Sequence, residues 1–223
     1  MGFSIAIDGP AGAGKSTIAR AVANELQFIY VDTGAMYRAV ALYLMRLGIT
    51  AKEKDQISER CKDARVSIRY VDGEQQVWLD DENVSSQIRK EEVGNMASVV
   101  SAVPAVRQHL FQLQRSLAAE NNVVMDGRDI GTTILPDAQV KIFLTASVET
   151  RGKRRALELT QKGEKHSFEE ICQDIRDRDQ RDMTREISPL RQAEDAVLVD
   201  SSDMTIDQVV QRIMDIYQEK VAD

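Results

Sequence analysis

Apolar residues fall in short runs separated by longer amphipathic stretches. Ser4–Asp8, Phe28–Asp32, Val123–Asp126, Val140–Leu144 and Ala196–Asp200 are brief and mostly apolar, the pattern of strands covered on both faces. Between them, Lys15–Leu26, Ala35–Arg46 ahead of Gly48, Pro104–Ala119, Ser147–Lys162 ahead of Gly163, and Thr205–Val221 have helical character. Ser167 followed by Glu170 reads as a capping box that opens one more helix. Such alternation predicts an α/β fold, a five-stranded and mostly parallel sheet flanked by helices. One stretch breaks it: Val66–Val71, Asp72-Gly73 and Gln76–Leu79 read as a hairpin with a primed turn. The charge-rich region 50–102, which carries the lone Trp78, is therefore expected as a small α+β subdomain inserted into a core of 1–49 and 103–223. A decorative insertion is the alternative.

The first chemistry lies between the first strand and first helix. Gly9-Pro10-Ala11-Gly12-Ala13-Gly14-Lys15-Ser16 satisfies G-x-x-x-x-G-K-[ST], the phosphate loop in its strand-loop-helix setting. Residues without side chains let backbone N–H groups turn inward around an anion, and the following helix N-terminus adds partial positive charge. Lys15 is expected to reach the β- and γ-phosphates of a nucleotide, and the Ser16 hydroxyl to ligate Mg²⁺. A tight turn with a solvated lysine is the bland alternative, and the intact motif in its context weighs against it.

Composition narrows the class without changing that reading. The 223 residues are 43% hydrophobic, enough for a sizeable core. No apolar run approaches the roughly 18 residues of a membrane span, and no basic segment leads into an apolar stretch and cleavage site near Met1; a cytoplasmic protein is expected. Cys61 and Cys172 form no C-x-x-C pair, so neither a zinc site nor a disulfide framework is indicated. A net charge of −7 disfavours non-specific nucleic-acid binding.

Four further motifs bear on what receives the phosphoryl group. Asn122–Asp126 is an apolar strand ending in a carboxylate, which places Asp126 at the carboxyl edge of the sheet, able to hold Mg²⁺ or its water. Asp126-Gly127-Arg128-Asp129 puts two carboxylates around an arginine at the same edge, where a surface ion-pair cluster is the alternative. Asp32-Thr33-Gly34-Ala35-Met36-Tyr37-Arg38 leaves the second strand for a helix, with Thr33 as N-cap. Last, Arg151, Lys153, Arg154 and Arg155, then Arg178, Arg181 and Arg185, lie at helical spacings among Asp174, Asp177 and Asp182. A solvated helix laced by i,i+4 ion pairs would give that pattern alone; beside a phosphate loop, a mobile arginine-rich lid over about 151–185 would neutralise a transferring group. A phosphate acceptor needs its repulsion cancelled more than it needs a base. His109 and His166 suggest surface or packing roles.

IDGPAGAGKST, DTGAMYR, the hairpin ending in Val84-Ser85, Asp126-Gly127-Arg128-Asp129-Ile130-Gly131-Thr132 and Arg178-Asp179-Gln180-Arg181-Asp182 together resemble the bacterial cytidylate kinases, within the phosphate-loop nucleoside monophosphate kinases. The resemblance covers the whole chain and implies a phosphate-loop NTPase fold with a monophosphate-binding subdomain and a helical lid. It implies that Thr33, Tyr37, Ser98, Arg107 and Asp129 surround the cytosine, that Arg38, Arg128 and Arg185 grip the acceptor phosphate, and that Asp182 reaches the ribose, with Arg178 also on the acceptor side. Gly9, Pro10, Ala11, Gly12, Ala13, Gly14, Lys15, Ser16 and Thr17 would bind ATP, with Arg154 and Arg155 approaching its phosphates. Some members carry Ser where Thr33 stands. The implied reaction is ATP plus CMP, or dCMP, giving ADP and CDP by direct in-line transfer with Mg²⁺, in a monomer with no nucleic-acid or membrane partner. A kinase for UMP or another small acceptor, and a nucleotide-gated binding module without turnover, are the alternatives. A GTPase is disfavoured, because no asparagine precedes a lysine to begin N-K-x-D.

Overall fold

The computed structural model describes residues 2–161, 163 and 166–222. In chain order the strands are β1 (Ser4–Asp8), β2 (Ile29–Asp32), β3 (Val66–Val71), β4 (Glu74–Leu79), β5 (Glu82–Asn83), β6 (Val123–Gly127), β7 (Val140–Thr145) and β8 (Val197–Asp200). The helices are α1 (Lys15–Leu26), α2 (Thr33–Arg46), α3 (Lys54–Arg60), α4 (Glu91–Val100), α5 (Pro104–Glu120), α6 (Val148–Gln161), α7 (Phe168–Thr184) and α8 (Ile206–Ala222). Five strands form one parallel sheet in the order β2-β6-β1-β7-β8, and β3-β4-β5 form a second, antiparallel sheet. Strand β1 sits in the middle of the larger sheet with all five residues buried, which is why it reads as an unbroken apolar run rather than an alternating one.

The chain folds as two compact units, Met1–Phe3 with Phe28–Val123 and Ser4–Gln27 with Val124–Asp223. In the first, α2 packs on α4, on α5 and on the hairpin strands β3 and β4. Asp72 and Gly73 both have positive φ, 52° and 79°, the conformation of a type I′ turn, which matches the twist of the strands it joins. The segment 50–102 lies wholly in this unit, together with α2 and α5. His109 packs there, its Nε2 2.7 Å from the Ala64 carbonyl oxygen.

Helix α2 begins two residues earlier than the sequence pattern suggests, and Thr33 is not its cap. Asp32 is: its Oδ1 accepts from the Ala35 amide at 2.9 Å. Both residue types cap well, but the carboxylate at the end of β2 takes the amide first and leaves Thr33 inside the first turn, 3% exposed. The Ser167–Glu170 capping box is present and opens α7. The expected helix end at Lys162 lies outside the described residues.

In the second unit, α1 packs on β1 and α8, and α6 lies along α7. Gly152 on α6 sets the distance of that pair, since a Cβ there would meet Cys172 Sγ at 2.7 Å and the Phe168 ring at 3.1 Å. Gly152→Ala should therefore cost about 1–3 kcal/mol, as overpacking does, and lower the urea midpoint at unchanged m-value; an unchanged midpoint would show that the two side chains yield freely. Cys61 and Cys172 are free and buried. No helix among the described residues is long and apolar enough to cross a membrane.

Candidate active site

The chain leaves β1 at Gly9, where any side chain would collide with the sheet: a Cβ would lie 1.9 Å from the Leu144 carbonyl oxygen of β7. The loop closes at Gly14, whose φ of 88° caps α1 in the left-handed region that glycine enters without strain. Lys15 then starts α1 with its side chain folded back over the loop, Nζ donating to the Pro10 carbonyl at 2.7 Å. Beside it, Ser16 Oγ donates to Asp126 Oδ2 at 3.0 Å. The hydroxyl and the carboxylate are two oxygen donors side by side, and Mg²⁺ takes few protein ligands, all oxygen, beside substrate phosphates. Among the described residues no three His, Cys, Asp or Glu gather as a metal cage of their own.

Strand β6 delivers the second half of the constellation. Arg128, just past it, donates through Nε to Asp182 Oδ2 at 2.9 Å and through Nη1 to the Gly127 carbonyl at 3.2 Å. Arg185, the C-cap of α7, holds Asp129 Oδ1 at 3.3 Å with Nη2 and the Ser188 carbonyl at 2.7 Å with Nε. Burial works against ionised Asp182, but Arg128, Arg178 and Arg185 hold its carboxyl below the ordinary aspartate value. Arg154 of α6 reaches the phosphate loop and the end of β8 together, with Nη1 3.4 Å from the Ala13 carbonyl oxygen and Nη2 2.9 Å from that of Ser201. Arg155 instead pairs with Glu158 at 3.3 Å on its own helix.

The base-reading candidates of the first unit sit on three helices. Thr33 and Tyr37 lie on the first turns of α2, and Arg107 of α5 holds its guanidinium 5.6 Å from the Tyr37 ring while donating to the Ser101 carbonyl at 3.2 Å. The Ser98 hydroxyl on α4 is buried with no hydrogen-bond partner among the described residues. Arg38 donates to the Ile88 carbonyl at 3.0 Å. It lies against α4 where Gly94 leaves room, since a Cβ at Gly94 would come within 2.8 Å of its Nη1.

Two buried groups next to the loop titrate far from their ordinary ranges. Burial, then the positive charge of Arg128, lowers Lys15 from 10.5 to about 7, although Asp126, Asp182 and Asp8 pull the other way. The unfolded chain thus binds more protons than the folded one between about pH 7 and 10.5, and Lys15 contributes stability that rises with pH across that window. An anion restores the charged form, so ATP binding at pH 8 to 9 should take up nearly one proton. Calorimetry in buffers of different ionisation enthalpy reads this directly, and binding heats independent of buffer would contradict it.

Asp8, which motif reading gave no role, lies buried beside the candidate site. Its two oxygens accept from the Ile130 and Gly131 amides, each at 2.8 Å. Burial pushes its carboxyl up to about 6, with those amides holding it down. The carboxylate therefore anchors the single π-helical turn Ile130–Ile134, directly after Arg128 and Asp129. Its position at the end of an apolar strand, like that of Asp126, was the available signal.

A family model described as Cytidylate kinase matches residues 5–219. The cytidylate kinase of Caldicellulosiruptor bescii is 48% identical over 219 residues, covering 98% of this chain and 97% of the relative. That of Caldanaerobacter subterraneus subsp. tengcongensis is 50% identical over 209 residues, 94% of this chain and 92% of the relative. Among solved structures, an uncharacterized protein from Eubacterium ventriosum aligns over 98% of this chain and 99% of its own with a TM-score of 0.53 at 13% identity, a likeness of fold alone. With its phosphate loop, its arginine-bearing β6 edge and a sequence match over nearly its full length, the chain belongs to the cytidylate kinase family.

Proposed function

We propose that the protein transfers the γ-phosphoryl group of ATP to CMP, and to dCMP, giving ADP and CDP. One observation carries the reading: the phosphate loop closed by Lys15 shares the carboxyl edge of the sheet with Arg128 and Arg185, each held by an aspartate, and Arg128 adds to the burial that lowers the lysine pKa. Two cations held against each other lose that repulsion when an anion arrives, and charge developing on a transferring phosphoryl group is stabilised by donors already in place. The backbone N–H groups of the Gly9–Thr17 loop, Pro10 having none, hold the donor phosphates, with Lys15 swinging from the Pro10 carbonyl to the β- and γ-oxygens. Arg154, already against the loop, neutralises charge on the donor side, and Arg155 leaves Glu158 to join it.

Arg128 and Arg185, with Arg178, orient the acceptor phosphate, and Arg38 contributes from α2. Asp182 accepts from the ribose hydroxyls, while Thr33, Tyr37, Ser98, Arg107 and Asp129 read the base. An acceptor phosphate is already anionic at neutral pH, so no general base is required, and no covalent enzyme intermediate forms. Ser16 and Asp126 would hold Mg²⁺, which when bound supplies charge neutralisation across the donor phosphates. The enzyme works as a cytoplasmic monomer on small molecules, in keeping with a net charge of −7 that disfavours nucleic-acid and anionic membrane surfaces.

The test is ADP release from ATP across CMP, dCMP, UMP, AMP and small alcohols. CMP and dCMP should give the highest kcat/KM. Preference for UMP or an alcohol would replace the acceptor, and tight ATP binding without turnover would make the protein a nucleotide-gated module.

A further inference from the structure

Arg151, the first arginine of α6, is 4% exposed and spends its guanidinium on three separate parts of the second unit. Its Nε donates to the Ala146 carbonyl at 2.9 Å, where the chain leaves β7. Its Nη1 donates to the Ala11 carbonyl of the phosphate loop at 3.0 Å. Asp179 of α7 takes the fork of the guanidinium, at 3.0 Å from Nη1 and 2.6 Å from Nη2. The aliphatic stem covers the loop as well: a Cβ at Gly12 would lie 3.4 Å from Arg151 Cβ and 3.8 Å from its Cδ.

A buried ion pair is weak evidence for stability, because desolvation offsets most of the attraction. A bidentate pair does fix geometry, in distance and in the plane of the fork. Asp179 stands directly after Arg178 and one turn before Asp182, so clamping it sets the rotation of α7 and with it the direction of both neighbours. We propose that Arg151 and Asp179 form a positioning strut that holds the phosphate loop and α7 in mutual register, so that the donor phosphates feel the state of α7 through Arg151. Both are positioning residues, acting through the loop backbone and through Arg178 and Asp182. The inference rests on the phosphate loop binding a nucleotide, as proposed above.

The experiment measures ADP affinity by calorimetry on the full chain, for wild type, Arg151→Lys, Asp179→Asn, Asp179→Glu and the Arg151→Lys/Asp179→Asn double variant, with thermal melting beside each. Arg151→Lys loses the fork and should weaken ADP about tenfold. Asp179→Asn changes nothing that contacts the loop, yet should weaken ADP three- to tenfold, and Asp179→Glu should recover part of that loss. In the double variant the second change should add less than twofold. The strut is overturned if Asp179→Asn keeps ADP affinity within twofold of wild type, or if the two losses multiply. Failure of both single variants to fold would also overturn it, leaving a purely structural ion pair. Wild type that binds no ADP would instead defeat the nucleotide reading itself, so the two failures are distinguishable.

Discussion

Lys15→Ala lowers kcat by about 10²-fold or more at saturating ATP and CMP, a loss of roughly 3 kcal/mol of charge stabilisation, the scale seen when one preorganised donor to a developing anion is removed. The fold survives. Lys15 is 6% exposed, and its pKa of about 7 shows that the unliganded protein holds this cation at a disadvantage, so removing it relieves desolvation rather than breaking a stabilising pair. Steady-state kinetics with a melting curve on the same preparation decides the matter. A stable variant with normal turnover would remove Lys15 from the transfer and the phosphate loop from the donor site.

Asp129→Asn narrows the preference for CMP over UMP, mainly by losing CMP activity. An ionised carboxylate only accepts hydrogen bonds, which suits the amino group at cytosine N4; uracil presents an acceptor at O4. An unpaired buried group costs about 1–3 kcal/mol, so this one mismatch is worth roughly 5- to 150-fold in kcat/KM, the kind of discrimination a site built around a hydrogen bond achieves. The carboxylate is 4% exposed and faces Arg185 at 3.3 Å. Loss of that ion pair disturbs Arg185 for both acceptors alike and so cancels in the ratio. Both acceptors measured on both proteins give the answer, and an unchanged ratio would take Asp129 out of base recognition.

How far the sequence speaks for itself differs from one element to the next. Helix α1 matches its expected bounds, and the five strands of the larger sheet lie where the apolar runs are. In β1 and β6, buried along their whole length, burial on both faces is carried in consecutive letters, whereas β8 at the sheet edge is half exposed and is legible only as a short apolar run. The capping box at Ser167 and the Asp72-Gly73 turn are equally local and equally legible. Helix α3, of seven residues, and α4, which opens without a side-chain cap and contains Gly94, lack such marks. At Thr33 two adjacent capping residues compete, and spacing does not say which wins.

The phosphate loop is contiguous and can be read directly; the partners of the arginines cannot. Helical spacing suggests that Arg178, Arg181 and Arg185 pair with Asp174, Asp177 and Asp182 along their own helix. Instead Asp182 meets Arg128 and Arg185 meets Asp129, 54 and 56 residues away in sequence, since only the folded sheet brings the end of β6 to α7. Arg151 and Asp179, separated by 28 residues, are hidden for the same reason. Sequence spacing reports neighbours on one helix and is silent about the next.

The matched charges of the resting protein bear on how it tolerates a cell full of small anions. Arg128 rests on Asp182 and Arg185 on Asp129. Chloride or inorganic phosphate entering here has to displace carboxylates already at ion-pair distance, and each exchange returns little because one anion merely replaces another. A ligand that brings phosphates, a ribose and a base together can displace several of these contacts in one event and give the released aspartates new donors of its own. Spectator ions should therefore inhibit weakly, and the internal carboxylates act as resident competitors that only a whole nucleotide outbids.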